Sequence, residues 1–120
     1  MRLAVDPEAA SCLDGLAGRS EDFQWDDGNR LKSRKHRVEP EEVEELLRNP
    51  VYFAGKIIDP VHEEPRWLLL GQALNGRRLA LVFTRRADQL RPISCRPMRW
   101  KERNVYEKTI GSGASKEDED

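Results

Sequence analysis

An α+β fold, an antiparallel β-sheet meander with helices packed on one face, is the architecture this sequence predicts, and three observations carry it. Two apolar runs in "RWLLLGQALNGRRLALVFT" flank Asn75-Gly76, a pair that favours hairpin turns. Upstream, Val43, Leu46 and Leu47 recur at the i, i+3, i+4 spacing of a helix buried along one stripe. The two periods occupy separate stretches, helical before residue 50 and strand-like after it.

Asp6, Pro7 and Glu8 form a helix start of cap, proline and first-turn acid, followed by Ala9, Ala10, Leu13 and Leu16, with Gly18 as the stop. A helix of about three turns needs docking to persist, so residues 1–22 are expected to form a peripheral extension. Phe23 and Trp25 alternate with a polar residue as in a short strand, and Asp26 or Asp27 can cap a helix running to Arg37. Pro40 opens the next helix, Glu41 and Glu42 face its positive end, and Pro50 disfavours a helical Asn49. "VYFAGKII" is a strand and "DPVHEEP" a loop. A two-residue turn at Asn75-Gly76 sets a register with Leu70 opposite Leu81, Leu68 opposite Phe83 and Arg66 opposite Arg85. "LRPISC" is a further strand in which Pro92 marks an edge or a bulge, and Pro97 opens a last helix to about Lys108. Residues 23–110 then make one domain, and "GSGASKEDED" at 111–120 reads as a disordered acidic tail.

With 120 residues, 36% of them charged, the chain supports one small core. Its net charge of −1 conceals an asymmetry. Residues 23–110 hold 18 lysines and arginines against 13 acids, a balance of +5, whereas the two ends hold 3 against 9. A basic body with acidic ends is compatible with a polyanionic partner. Cys12 and Cys95 form neither a disulfide framework nor a zinc motif, and neither metal nor cofactor is expected. No apolar run reaches the length of a signal or a membrane span, which makes a cytoplasmic protein without a membrane partner the expectation.

One chemistry open to a basic body that meets RNA is metal-free cleavage, in which the ribose 2′-hydroxyl attacks the adjacent phosphate. The enzyme must accept a proton, stabilise the phosphorane and protonate the departing 5′-oxygen. His36 is the leading acid/base candidate, because histidine titrates near neutral pH without special tuning; the alternative is that it only ends a helix. Arg66 and Arg85 at one sheet end, with Arg96 after the final strand, are candidates to converge on phosphate through their planar forks; the alternative is that two of them are ordinary solvated strand-end residues. His62 sits in an exposed loop, and Lys32, Arg34 and Lys35 belong to a basic block that is either an RNA grip or a solvated helix face. Trp100, among charged neighbours on the last helix, is the residue most available to a partner.

Four stretches in order, "FQWDDGNRLKSRKHRV", "VEELLRNP", "RWLLLGQALNGRRLALVFTRR" and "LRPISCRPMRWKERNVYE", resemble the BrnT family of bacterial toxins. The resemblance runs from Phe23 to Glu107 and rests on an F-x-W-D opening, a lysine-histidine-x-valine helix end, a G-R-x-L-x-V strand and an arginine-bearing strand end leading into a helix that finishes in tyrosine-glutamate. It implies a RelE-like fold and a metal-independent endoribonuclease that inhibits translation. On that reading His36, Arg85, Arg96 and Lys35 are catalytic, Arg34, Arg66 and Lys32 bind RNA, and Trp100 binds the partner. The resemblance further implies a ribbon-helix-helix antitoxin, a heterotetramer with it, and operator DNA bound through the antitoxin. The alternative is a catalytically degenerate toxin-like protein that only pairs with such an antitoxin.

Overall fold

The computed structural model describes residues 1–111. The chain runs β1 (Arg2–Ala4), α1 (Pro7–Cys12), α2 (Asp27–Arg34), α3 (Pro40–Glu45), β2 (Tyr52–Asp59), β3 (Trp67–Gln72), β4 (Arg78–Arg86), β5 (Gln89–Pro97) and α4 (Trp100–Tyr106). The strands form one antiparallel sheet in the order β1-β2-β3-β4-β5, so the expected α+β meander is present. A wider helical turn over Glu107–Gly111 follows α4, and the acidic tail expected beyond it lies outside the described residues.

Strand β1 was not expected from the sequence. It pairs with the far half of β2, Ala4 opposite Lys56 and Arg2 opposite Asp59. Glycine at position 55 makes this approach possible: its φ is +132°, and a Cβ there would stand 2.5 Å from the Ala4 carbonyl oxygen. Asp6 ties the next turn down twice. One carboxylate oxygen accepts from the Ala9 N–H at 3.2 Å as the cap of α1, and the other accepts from the Trp67 indole N–H at 2.9 Å.

The β3–β4 register corrects the expected one. Ala73 donates to Arg77 and Gly76 to Ala73, each at 2.9 Å, so the loop is the three residues Leu74, Asn75 and Gly76, with Gly76 at φ +91°. Left-handed glycine closing a three-residue hairpin is a common solution, but it shifts the pairing by one. Leu69 faces Leu81 and Leu68 faces Val82, and the expected opposition of Arg66 and Arg85 is lost. Two further corrections are local. The expected strand at Phe23 and Trp25 is a single bridge from Phe23 to Leu90, and Pro97 ends β5 opposite Leu79 instead of opening a helix. Pro92 sits both on the edge strand and at a bulge, where Val82 faces Ser94 and Phe83 faces Pro92.

Alternation along β3 and β4 divides the core between the two sheet faces. Leu69, Leu79, Leu81 and Phe83 pack with Phe23, Val38, Val43, Leu46 and Leu90, under α2 and α3. Leu68, Leu70 and Ala80 pack with Met98 and Tyr106, so α4 covers the opposite face. Each fully buried leucine contributes on the order of 2 kcal/mol of apolar burial.

Candidate nucleic-acid interface

Helix α2 is held at its start by a reciprocal cap. The Asp26 carboxylate accepts from the Asn29 N–H at 3.0 Å, and the Asn29 side-chain oxygen accepts from the Asp26 N–H at 2.8 Å. The Asn29 amide also donates to the Gln24 and Pro92 carbonyls at 3.0 and 2.9 Å, fastening the helix to edge strand β5. Asn29 and Ser33, four apart, form the buried side of α2. Helical spacing then puts Arg30 and Arg34 on one flank, Lys32 on the other, and Leu31 and Lys35 outward. The basic block of the sequence is therefore two patches rather than one.

The α2–α3 turn carries His36 on a rigid support. The Ser33 carbonyl accepts from the N–H groups of His36 and Val38 at 3.0 and 3.1 Å, and Arg37 donates to Arg34 at 2.9 Å. Val38 is fully buried and anchors the turn, while Lys35, His36 and Arg37 are exposed. Arg37 occupies the left-handed region at φ 59°, and its carbonyl accepts from Arg77 at 2.8 Å. Arg77 also binds both oxygens of Glu42 at 3.0 Å. Burial raises the Glu42 carboxyl, but bonds from the Glu39 N–H, Asn75 and Arg77 outweigh it and hold the group below its ordinary value.

Between α2 and α3 lies a polar cleft of about 520 Å³ whose lining includes Arg30, Arg34, Trp25, Ser20 and Glu44. Arg34 at the end of α2 and Pro40 at the start of α3 both line the cleft, and the turn that carries His36 joins them. Among the described residues Arg30 has no ion-pair partner, and Arg34 has only a 3.8 Å contact to Glu39. Glu44, 9% exposed, accepts from the Trp25 indole N–H at 3.0 Å and from the Ser20 hydroxyl at 3.3 Å.

The expected convergence of Arg66, Arg85 and Arg96 does not occur. Arg96 stands opposite Ala80 and Arg85 opposite Leu90, five positions apart on β4, or roughly 17 Å at strand spacing. Arg96 is engaged in a two-pronged pair with Glu102 at 2.7 and 2.9 Å. His36 neighbours Arg37, whose carbonyl meets Arg77, and Arg77 is eight strand positions from Arg85, roughly 26 Å. Arg66 and Arg85 lie toward the far sheet end, each with a buried Nε that has no partner among the described residues. Arg66 shares a cavity there with His62, Glu63 and Glu64, and Glu64 binds Arg86 at 2.6 and 2.9 Å. Arg34, Lys35 and His36 thus lie on α2 and the turn after it with Lys32 on the other flank, Arg66 and Arg85 stand at the far sheet end on opposite faces of the sheet, and Arg96 is held by Glu102.

Trp100 is 74% exposed at the mouth of an open apolar groove of about 680 Å³ under α4, floored by Leu68, Leu70, Tyr52 and Leu3 and flanked by Arg99 and Lys101. Among the described residues no group of three or more histidine, cysteine, aspartate or glutamate side chains is placed to hold a metal ion, and no helix is long and apolar enough to cross a membrane.

Sequence reasoning missed Arg30 and Glu44. The four-residue spacing of Arg30 and Arg34 was a readable signal. Glu44 carried none, because its partners Trp25 and Ser20 lie 19 and 24 positions away. Residues 25–102, about two thirds of the chain, match the family model described as ribonuclease toxin, BrnT, of type II toxin-antitoxin system. No curated protein and no solved structure matches the chain.

Proposed function

The chain belongs to the BrnT family of ribonuclease toxins of type II toxin-antitoxin systems, and from that premise we propose that it is a metal-independent endoribonuclease that inhibits translation by cutting RNA held along α2 and the α2–α3 turn. The observation that carries this reading is the exposed His36 on a braced turn joining α2 and α3, the two helices whose cleft holds Arg30 and Arg34. The family implies an RNA target and a protein antitoxin.

In the proposed step the ribose 2′-oxygen attacks the adjacent phosphorus and the P–O5′ bond breaks, leaving a 2′,3′-cyclic phosphate and a 5′-hydroxyl. His36 takes the 2′-hydroxyl proton, and water or the imidazolium so formed returns one to the 5′-oxygen. Arg34 and Lys35 supply positive charge to the phosphorane, and Lys32 follows the backbone on the outer flank. The antitoxin is proposed to be a ribbon-helix-helix protein that seats on the apolar groove at Trp100, forms a heterotetramer, and brings the complex to operator DNA.

The test is cleavage of end-labelled RNA by purified protein in excess chelator. His36→Ala is expected to slow cleavage at least about a hundredfold with the melting temperature unchanged. Full activity in that variant would refute the assignment. A second reading has one observation in its favour, the buried Nε of Arg66, unpartnered among the described residues, in a cavity shared with His62. Loss of activity in Arg66→Ala and Arg85→Ala, with His36→Ala active, would move the site to that sheet end. A chain that binds its antitoxin yet never cuts RNA would be the degenerate alternative.

A further inference from the structure

The floor of the α2–α3 cleft is a carboxylate that the cleavage step does not employ. Glu44 receives one hydrogen bond on each oxygen, from Ser20 and from Trp25. A carboxylate offers about four acceptor positions and no donor, so the two bonds do not exhaust its accepting capacity, and the residue lines the cleft. Trp25 contributes a half-buried ring to the same cleft, and Arg30 and Arg34 place two weakly engaged cations at its wall. An aromatic surface, paired cations and a group that reads hydrogen-bond donors are the parts needed to hold one unstacked nucleotide.

We infer that this cleft is a pocket for a single unpaired RNA nucleotide and that Glu44 gives it a preference for guanine. This rests on the ribonuclease reading for its substrate class and adds the base. An acceptor-only group fits a base edge that presents adjacent donors. Guanine alone does so, through N1–H and the 2-amino group. Adenine and cytosine each place a ring acceptor beside their amino group, and uracil flanks its one N–H with two carbonyls. A base that puts an acceptor against a buried carboxylate leaves both groups unpaired, which is the strong form of discrimination. Arg30 and Arg34 hold the flanking phosphates, and Trp25 packs against the base.

The experiment uses the full chain and short 2′-O-methyl oligouridylates carrying one central guanosine, inosine or adenosine, read by fluorescence anisotropy. These probes lack the 2′-hydroxyl nucleophile, so binding is measured whether or not the protein cleaves. The guanosine probe is expected to bind about tenfold tighter than the adenosine probe, with inosine, which lacks the 2-amino group, between them. Glu44→Gln should bring the ratio to within about threefold while binding persists. Arg30→Ala and Arg34→Ala should weaken all probes alike and each reduce the salt slope by about one. Without any variant, the Trp25 indole N–H resonance should move on titration with guanosine 3′-monophosphate and stay in place with the adenosine analogue. Equal wild-type affinities, a preference that survives Glu44→Gln, or an unmoved Trp25 resonance would overturn the inference. Guanosine preference in a chain that leaves cleavable RNA intact would instead uphold the pocket and refute the nuclease.

Discussion

Arg96→Ala should lower stability and leave RNA cleavage intact, although the sequence makes Arg96 a catalytic candidate. Its guanidinium meets both oxygens of Glu102, and the two side chains are 16% and 17% exposed. The same carboxylate accepts from the Arg99 N–H at 2.8 Å and so caps α4. Exposed pairs are worth about 0–1 kcal/mol, and breaking a buried one costs about 3–5 kcal/mol, so this pair, which lies between the two, should cost about 2 kcal/mol on truncation of the arginine. With about 2.1 cal/mol/K of unfolding entropy per residue over this chain, that lowers the melting temperature by about 8 °C. Glu102→Ala also loses the cap, about 1 kcal/mol more, for a fall of about 12 °C. The double variant should fall no further than Glu102→Ala, giving a coupling of about 2 kcal/mol by denaturant unfolding. An unchanged melting temperature in Arg96→Ala together with abolished cleavage would refute the reasoning and return Arg96 to the active site.

Three further outcomes follow from the same geometry. Gly55→Ala should detach β1, because the new Cβ meets the Ala4 carbonyl oxygen at 2.5 Å; loss of amide exchange protection at residues 2–4 with β4 still protected is the expected signature. Cys95 is fully buried and its thiol is pushed up to about 12 by burial, so a thiol reagent near pH 8 should label exposed Cys12 alone until denaturant is added. Glu42 and Glu102 both sit below the ordinary glutamate value of 4.5, burial being outweighed by bonds to their charged forms. Their contribution is therefore present above pH 4.5 and lost as the pH falls through the lower folded-state values; Arg77→Ala and Arg96→Ala should each flatten that acid limb of a stability–pH curve.

Periodicity reads contacts that lie close along the chain and fails for those that do not. Val43 and Leu46 are fully buried where helical spacing put them, and the apolar runs of β3 and β4 pair as a hairpin. The register escaped because Asn75-Gly76 serves both two-residue and three-residue loops, and one residue of difference moves every partner. Strand β1 escaped because three residues carry too little pattern, and its pairing depends on Gly55, fifty positions away. The basic block read as one patch because a sequence is linear, whereas a helix turns Arg34 and Lys32 to opposite flanks. Arg96 looked free because Glu102 lies on another element, and only the bend from β5 into α4 brings the two together.

Arg37 is the position where backbone and side chain have opposing interests. Its φ of 59° is a conformation that costs a non-glycine residue about 1 kcal/mol or more, at the helix-end position where glycine is the ordinary choice. What the fold takes from it is a carbonyl, which accepts from Arg77, and any residue would supply that. The side chain itself is exposed and makes no ion pair among the described residues. Arg37→Gly should therefore leave stability unchanged or raise it by up to about 1 kcal/mol, the relief of strain being partly offset by the greater freedom of glycine in the unfolded chain. If the cation beside His36 is there for RNA, the same variant should lower affinity and reduce the salt slope by about one. A fall in melting temperature would make the side chain structural, and unchanged RNA affinity would remove it from the interface. Stability held or raised with affinity lost is the expected combination, because strain persists in a small domain where the group that requires it does something the fold does not need.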